Sequence, residues 1–150
     1  SMKKLILALA ICFGLTAYGS NEVKRESTAK VEQVQPQKAS NRVEILYFHG
    51  KQRCATCMAI EQNTRELVNT TFAKELKNGT VVFKIVDIST PEGEKIADNY
   101  KVTWSSLYVN KWKDGKETRN DMTKFGFSNA RKNPDTFKNG VIQKVKSLLK

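Results

Sequence analysis

Two cysteines separated by two residues, Cys54 and Cys57, are the residues of this chain whose types and spacing best suit chemistry. They follow an apolar run at residues 43–48 and begin a stretch in which apolar residues recur at helical spacing. At such a strand-to-helix junction the two sulfurs can close a disulfide within one helical turn. The unpaired N–H groups and the dipole of the helix N-terminus favour a thiolate, which lowers the pKa of the first thiol. The pattern therefore predicts a redox-active dithiol.

The two cysteines would have different parts in thiol–disulfide exchange. Cys54 is the predicted nucleophile, because it begins the helix, and its thiolate would attack a partner's disulfide. Cys57, one turn further on, would resolve the mixed disulfide. We expect Arg53, just before the first cysteine, and His49, the only histidine, to tune the pair. An inert structural disulfide is the competing interpretation.

A third interpretation is a soft-metal carrier, because two cysteines and one histidine suit copper or a similar ion. A structural zinc site normally needs four protein ligands, and the sequence offers no evident fourth. His49 is explained as well by a loop histidine bonded to backbone or water. We therefore expect no bound metal and no other cofactor.

The N-terminal residues have the pattern of an export signal. Lys3 and Lys4 precede an apolar stretch at residues 5–17, which is too short to span a bilayer. We predict a signal peptide with a tag residue over residues 1–19 and a polar, disordered linker over residues 20–41. Export would place the protein in an oxidising compartment, the bacterial periplasm or cell envelope, where a close cysteine pair is either a disulfide or a catalytic dithiol.

The chain carries a formal net charge of +11, from 26 Lys and Arg against 15 Asp and Glu. These basic residues are spread along the chain rather than gathered in one block, which is typical of a solvated surface. We therefore expect no nucleic-acid partner, contact with a membrane only during export, and a monomer. The 150 residues, 39% of them hydrophobic, suit one globular domain with tails.

The hydrophobic pattern also predicts the elements that position the dithiol. The predicted strands lie at residues 43–48, 81–88, 106–113 and 116–122, and the predicted helices at residues 54–77, 91–99 and from 134 to near the end. Weak helix formers at residues 69–71 allow a break in the first helix, and a polar loop with Phe125 and Phe127 precedes the last. The order β-α-β-α-β-β-α predicts an α/β domain over residues 42–150, with a mixed four-stranded sheet between helices.

With these elements in place, the chain resembles the thioredoxin superfamily. The resemblance rests on the Cys-Ala-Thr-Cys motif at residues 54–57, on Tyr-Lys-Val at residues 100–102, and on the apolar strand that ends in Lys-Asp-Gly at residues 113–115. More narrowly, Tyr-Phe-His-Gly at residues 47–50 together with the cysteine motif is similar to small secreted bacterial thioredoxin-like proteins. The resemblance implies a thioredoxin-like fold and a thiol–disulfide oxidoreductase, whose partners are a protein disulfide or dithiol and a second redox protein.

Three departures from the thioredoxin pattern affect the site. Ser105 stands where thioredoxins have a cis-proline, and we expect a trans peptide bond, because a cis bond without proline costs about 3–4 kcal/mol. Tyr47 stands near the place of a buried Asp that moves a proton to the second thiol, and Glu44, the nearest carboxylate, is expected to face solvent. Ala55 and Thr56 replace the usual Gly-Pro. These departures favour an alternative function, a non-catalytic binding module of the same fold.

The loop before the third strand carries the predicted substrate-binding residues. Trp104 could form a hydrophobic lip for a partner, and Ser105 and Ser106 could offer hydroxyl or backbone groups to a substrate strand. Ordinary loop chemistry explains these residues equally well. Met58, which follows the second cysteine, is expected to pack beneath the motif.

Overall fold

The computed structural model describes residues 38–150, so the predicted signal peptide and most of the predicted linker lie outside the described residues. The elements in chain order are β1 (Arg42–His49), α1 (Ala55–Thr70), α2 (Ala73–Asn78), β2 (Val81–Asp87), α3 (Pro91–Tyr100), β3 (Ser106–Lys113), β4 (Lys116–Thr118), α4 (Thr123–Asn129) and α5 (Pro134–Leu149). Among these helices, none has the length and apolarity that crossing a membrane requires.

The four strands form one mixed sheet in the order β2-β1-β3-β4. Strand β1 runs parallel to β2 and antiparallel to β3, and β3 pairs antiparallel with β4. The parallel pair is connected through α1 and α2, since parallel neighbours need a long crossover. This strand order, with helices on both faces of the sheet, is the thioredoxin-like arrangement, and the predicted fold class is confirmed.

Strand β1 is buried on both faces, because successive side chains of a strand point to opposite sides of the sheet. Val43, Ile45 and Tyr47 belong to the larger core, which α1 and α5 close. Leu46 and Phe48 belong to a smaller core on the other face, which α3 closes. This central strand ends at His49, and the short loop at residues 50–53 connects it to the cysteine motif.

The predicted first helix is interrupted where its weak helix formers occur. Helix α1 ends at Thr70, whose hydroxyl donates a hydrogen bond to the carbonyl of Glu66 at 2.9 Å. After the buried Phe72, helix α2 continues to Gly79, which has a φ of 78° and ends the helix in the left-handed region that glycine tolerates. The break predicted at residues 69–71 is thus present.

The hairpin after β3 is shorter than predicted. Its turn is formed by Asp114 and Gly115, both with positive φ, as their residue types predict. Strand β4, however, covers only three residues rather than residues 116–122. Beyond Thr118 the chain still pairs with β3 in the same register, through an isolated bridge between Tyr108 and Asp121 and a hydrogen bond from the N–H of Met122 to the carbonyl of Leu107 at 2.8 Å.

The predicted polar loop with Phe125 and Phe127 is in fact helix α4, so that prediction is wrong. The carboxylate of Asp121 accepts a hydrogen bond from the N–H of Thr123 at 2.8 Å and so satisfies one of the free N–H groups at the helix start. Gly126 lets the helix lie close to α1, since a Cβ at this position would be 3.3 Å from Cδ1 of Ile60. Tertiary packing therefore forms a helix that local propensity does not indicate.

The expectation that Glu44 faces solvent is also wrong, since the residue is only 6% exposed. Its carboxylate accepts a hydrogen bond from Nε of Arg42 at 2.7 Å and lies 3.4 Å from Nζ of Lys38. Burial acts to raise the pKa of Glu44, but these two cations outweigh burial and lower it. A buried charge persists only with such partners. Glu44 lies near the start of β1, whereas the cysteine motif follows the end of the strand.

Candidate functional site

The two cysteines form a disulfide at the N-terminus of α1. Cys54 is the N-cap residue, with extended backbone, and its sulfur accepts a hydrogen bond from the N–H of Cys57 at 3.0 Å. The Cα atoms are 4.9 Å apart. Cys54 is exposed, whereas Cys57 is 4% exposed and packs beneath the first turn. An attacking thiolate from solvent would therefore approach Cys54 more easily than Cys57.

Tyr47 anchors the helix start from below. The side chain is fully buried, and its hydroxyl donates a hydrogen bond to the carbonyl of Cys57 at 2.7 Å. Burial raises the pKa of Tyr47, and hydrogen bonds with Ser105 and Arg53 act in the opposite direction without outweighing it. A neutral phenol donates a proton to its hydrogen-bond partner and is a poor proton acceptor. Tyr47 therefore fixes the position of Cys57 and does not supply the base that an Asp would.

An ion pair that the sequence did not suggest lies beside this anchor. The guanidinium of Arg53 pairs with the carboxylate of Glu61 and lies 6.0 Å from the centre of the Tyr47 ring. Arg65 approaches the same carboxylate at 3.6 Å. Nε of Arg53 is buried without a hydrogen-bond partner. The one sequence signal for Glu61 is its place four residues, one helical turn, after Cys57.

The loop between α3 and β3 presents one of its three predicted binding residues to solvent. Trp104 is 60% exposed and stacks on Phe127 of α4, with ring centroids 5.2 Å apart. We call these two residues the aromatic rim. Ser105 and Ser106 are buried, and the hydroxyl of Ser106 donates to the carbonyl of Trp104 at 3.1 Å. The hydroxyl of Ser106 therefore serves the loop itself. Every described peptide bond is trans, including the one before Ser105.

The loop that carries Trp104 is connected to the cysteine motif through Tyr47. Ser105, the neighbour of Trp104, acts to lower the pKa of Tyr47, and the Tyr47 hydroxyl in turn holds the carbonyl of Cys57. Met58 is 52% exposed, so the expectation that it packs beneath the motif is wrong. Its neighbour Cys57 takes the inward side of the helix, and Met58 consequently points outward. Apolar side chains are thus exposed both on α1, at Met58, and on the loop before β3, at Trp104.

His49, a predicted tuning residue, ends β1 and is half buried. Its Nδ1 lies 3.0 Å from the carbonyl oxygen of Gly50, and its ring centroid is 6.1 Å from that of Tyr47. In the sheet it pairs with Asp87. Hydrogen bonds from Ser89 lower the pKa of Asp87, and the charges of His49 and Lys51 add to this effect. Within residues 38–150 no three His, Cys, Asp or Glu side chains form a group that could hold a metal ion.

No family model matches the chain, and no curated protein matches it. Among solved structures, it is similar to the solution structure of a thioredoxin from Thermus thermophilus, with 19% identity over 68% of this chain and 75% of the other, at a TM-score of 0.42. It is also similar to a structure described as a malarial protein, with 18% identity over 61% of this chain and 99% of the other, at a TM-score of 0.39. At these values the fold assignment rests on the strand order and pairing of this chain itself.

Proposed function

We propose that this protein is an exported thiol–disulfide oxidoreductase that exchanges disulfides with partner proteins through Cys54 and Cys57. The observation that carries the proposal is the asymmetry of the pair. Cys54 is exposed at a helix N-terminus, where a thiolate is stabilised, while Cys57 is buried one turn away at bonding distance. An attacking sulfur and a resolving sulfur need this arrangement.

The exchange consists of two balanced steps. The Cys54 thiolate attacks one sulfur of a partner's disulfide, the partner's S–S bond breaks, and the released partner thiolate takes up a proton. Cys57 then loses its proton and attacks Cys54, which expels the partner's second sulfur and closes the disulfide seen here. Two electrons pass to the partner; Cys57 releases one proton, and, because Cys54 reacts as a thiolate, solvent supplies the second proton that the two partner thiols take up. The reverse sequence oxidises a partner dithiol.

The aromatic rim supports a polypeptide as the partner. Trp104 is exposed and stacks on Phe127, and Met58, the residue after Cys57, adds an exposed apolar side chain on the helix. A protein segment that carries a disulfide can bury apolar side chains against these residues, whereas a small disulfide such as oxidised glutathione cannot. In this proposal Trp104 contacts the partner, and Ser105 and Ser106 hold the loop in place.

Two cysteine variants test the catalytic role. Cys57→Ser keeps the attacking sulfur and removes the resolving one, so incubation with insulin should accumulate a mixed disulfide that non-reducing electrophoresis resolves. Cys54→Ser is the matched control and should accumulate none. The native protein should also accelerate insulin reduction by dithiothreitol. Equal trapping by the two variants, or no acceleration, would refute the proposal.

A non-catalytic binding module is the second candidate, and the replacement of the proton-moving Asp by the anchoring Tyr47 favours it. The reduction potential separates the two functions. Catalytic dithiols lie between about −120 and −270 mV, whereas structural disulfides typically lie below about −300 mV. Equilibration with glutathione or dithiothreitol buffers measures this value, and a value in the structural range would favour the binding module.

We further propose a location in the bacterial periplasm or cell envelope and a kinship with small secreted thioredoxin-like proteins. The support is the sequence pattern of residues 1–19 and the cysteine motif. Fractionation of bacteria that express the chain tests the location, since an exported protein is released with the periplasm and is shorter than its precursor. Retention of the uncleaved chain in the cytoplasm would contradict it.

A further inference from the structure

Glu61 is placed to act on the dithiol although it touches neither sulfur. It lies on α1 one turn after Cys57, and its carboxylate is largely shielded from solvent. The carboxylate binds Arg53, which immediately precedes Cys54, and is approached by Arg65 from the next turn of the helix. One acidic residue thus controls the side chain of the cation nearest in sequence to the attacking sulfur.

The pair with Glu61 determines where the Arg53 guanidinium lies. Burial acts to lower the pKa of Arg53, but the hydrogen bond and charge of Glu61 outweigh burial and raise it, with Tyr47 adding to the effect. The guanidinium lies over the Tyr47 ring, and Nε is buried without a partner. A buried N–H without an acceptor is unusual, so the position of Arg53 depends on the bond to Glu61.

We propose that Glu61 is a positioning residue of the dithiol: it holds the Arg53 guanidinium in an ion pair beside Tyr47, where it is less available to the Cys54 thiolate, and so makes the dithiol less oxidising than it would be with an unpaired Arg53. This inference rests on the proposed thiol–disulfide exchange. Without Glu61, Arg53 would be free to pair with the Cys54 thiolate of the reduced protein.

The other charges near the motif do not duplicate this effect. The loop after β1 carries His49 and Lys51, whose charges act on Asp87 at the end of β2. Residues 102–105 carry no charged side chain, and Lys124, the charged residue of α4, is exposed. The ion pair with Glu61 therefore determines the position of Arg53.

The redox consequence follows from the proton balance. Reduction by a partner dithiol adds two electrons to the Cys54–Cys57 bond, which breaks. If Cys54 remains a thiolate after reduction, only Cys57 takes up a proton. A cation that pairs with the Cys54 thiolate stabilises the reduced protein and shifts the equilibrium towards it, which makes the dithiol a stronger oxidant.

The test is the variant Glu61→Gln, with Glu66→Gln as the matched control. Both changes remove one negative charge from α1, but Glu66 pairs with Lys138 of α5 at 2.9 Å, several turns from the cysteines. Glu61→Gln should shift the equilibrium with glutathione towards the reduced protein by about three- to tenfold, where tenfold corresponds to about 30 mV. In the reduced protein, thiolate absorbance against pH should show a lower pKa for Cys54. Glu66→Gln should change neither value.

A second variant shows whether Glu61 acts through Arg53. In an Arg53→Gln background, Glu61→Gln should lose at least half of its effect, because no guanidinium remains to be released. The inference would be overturned if Glu61→Gln kept its full effect in the Arg53→Gln background. It would also be overturned if Glu61→Gln, in the native background, changed the equilibrium no more than Glu66→Gln does or shifted it towards the oxidised protein. The thiolate titration needs no protein substrate. It can therefore support or refute the role of Glu61 even if trapping with Cys57→Ser fails and the proposed function is rejected.

Discussion

The domain contains two polar clusters, one on each face of the sheet, and they differ in how completely the central side chain of each, Arg53 in one and Asn110 in the other, is paired. Beneath the disulfide lie Tyr47, Arg53 and Glu61, with one buried N–H of Arg53 left without a partner. On the other face, the amide of Asn110 donates to the hydroxyl of Tyr100 at 3.0 Å and to Glu117 at 3.1 Å. Its oxygen also accepts a hydrogen bond from the N–H of Asn120 at 3.1 Å.

This difference separates a stabilising cluster from a reactive one. The Asn110 cluster joins the end of α3 to β3 and β4, and Arg119 covers it by lying 3.6 Å above the Tyr100 ring. Every hydrogen-bonding atom of the central amide is used, which holds one arrangement in place. In the cluster beneath the disulfide, Nε of Arg53 stays unpaired, and the next residue is the exposed Cys54. Substitutions in the two clusters should therefore affect different measured quantities.

The largest effect is expected from Asn110→Ala. The substitution leaves the N–H of Asn120 without its acceptor and removes the two hydrogen bonds that the amide donates to Tyr100 and Glu117, so the free energy of unfolding should fall by about 3 kcal/mol. Urea denaturation of the oxidised protein measures this loss. The reduction potential should stay at the native value, since the cluster lies on the opposite face from the cysteines. A shift in potential as large as that of Glu61→Gln would show that the two clusters are coupled.

The sequence predicted most of the fold because the relevant signals are local. The apolar run of β1, the turn at Asp114 and the break near Thr70 each follow from a few neighbouring residues. Helix α4 could not be predicted, because residues such as Gly126 favour it only through contact with α1. The burial of Glu44 was missed for the same reason, since it depends on cations that the fold brings together.

The candidate site shows the same limit. The spacing of Cys54 and Cys57 placed a disulfide at the start of a helix, and the structure has it there. The pairing of Arg53 with Glu61 was not predicted, because the two residues are eight positions apart and the first lies outside the helix. On an amphipathic helix a glutamate is ordinarily a solvated residue. Glu61 becomes a partner for Arg53 only because the loop before α1 folds so that the two side chains meet.

A smaller effect, on rate rather than on stability, is expected from Trp104→Ala. If the aromatic rim contacts partner proteins, exchange with insulin should slow by about tenfold, equivalent to about 1.4 kcal/mol. Reaction with oxidised glutathione should keep its native rate, because so small a disulfide does not reach the rim. The matched control is Leu149→Ala, which removes another exposed apolar side chain, from α5. Equal slowing with both disulfides would mean that Trp104 supports the cysteines instead of binding a partner.

The smallest effect should appear at alkaline pH, where both clusters contain a tyrosine that burial keeps neutral. Burial raises the pKa of Tyr47 and of Tyr100 above the unfolded value of 10.0, and Glu117 adds to the rise for Tyr100. Above pH 10 the unfolded chain loses these protons first. The stability that comes from the raised pKa is therefore complete below pH 10 and is lost as pH rises through the folded value.

Unfolding in urea at pH 9.5 and pH 10.5 measures that loss, which should be at most about 0.7 kcal/mol for each tyrosine. In each of the variants Tyr47→Phe and Tyr100→Phe, the free energy of unfolding should fall less between these two pH values, by the amount that the missing tyrosine contributes. Only Tyr47→Phe should also change the reduction potential, because its hydroxyl holds the carbonyl of Cys57. An unchanged pH slope in Tyr47→Phe would mean that the phenol ionises in the folded protein as readily as in the unfolded chain. In that case the cluster beneath the disulfide is open to solvent, and its contrast with the Asn110 cluster lies in hydration rather than in unpaired groups.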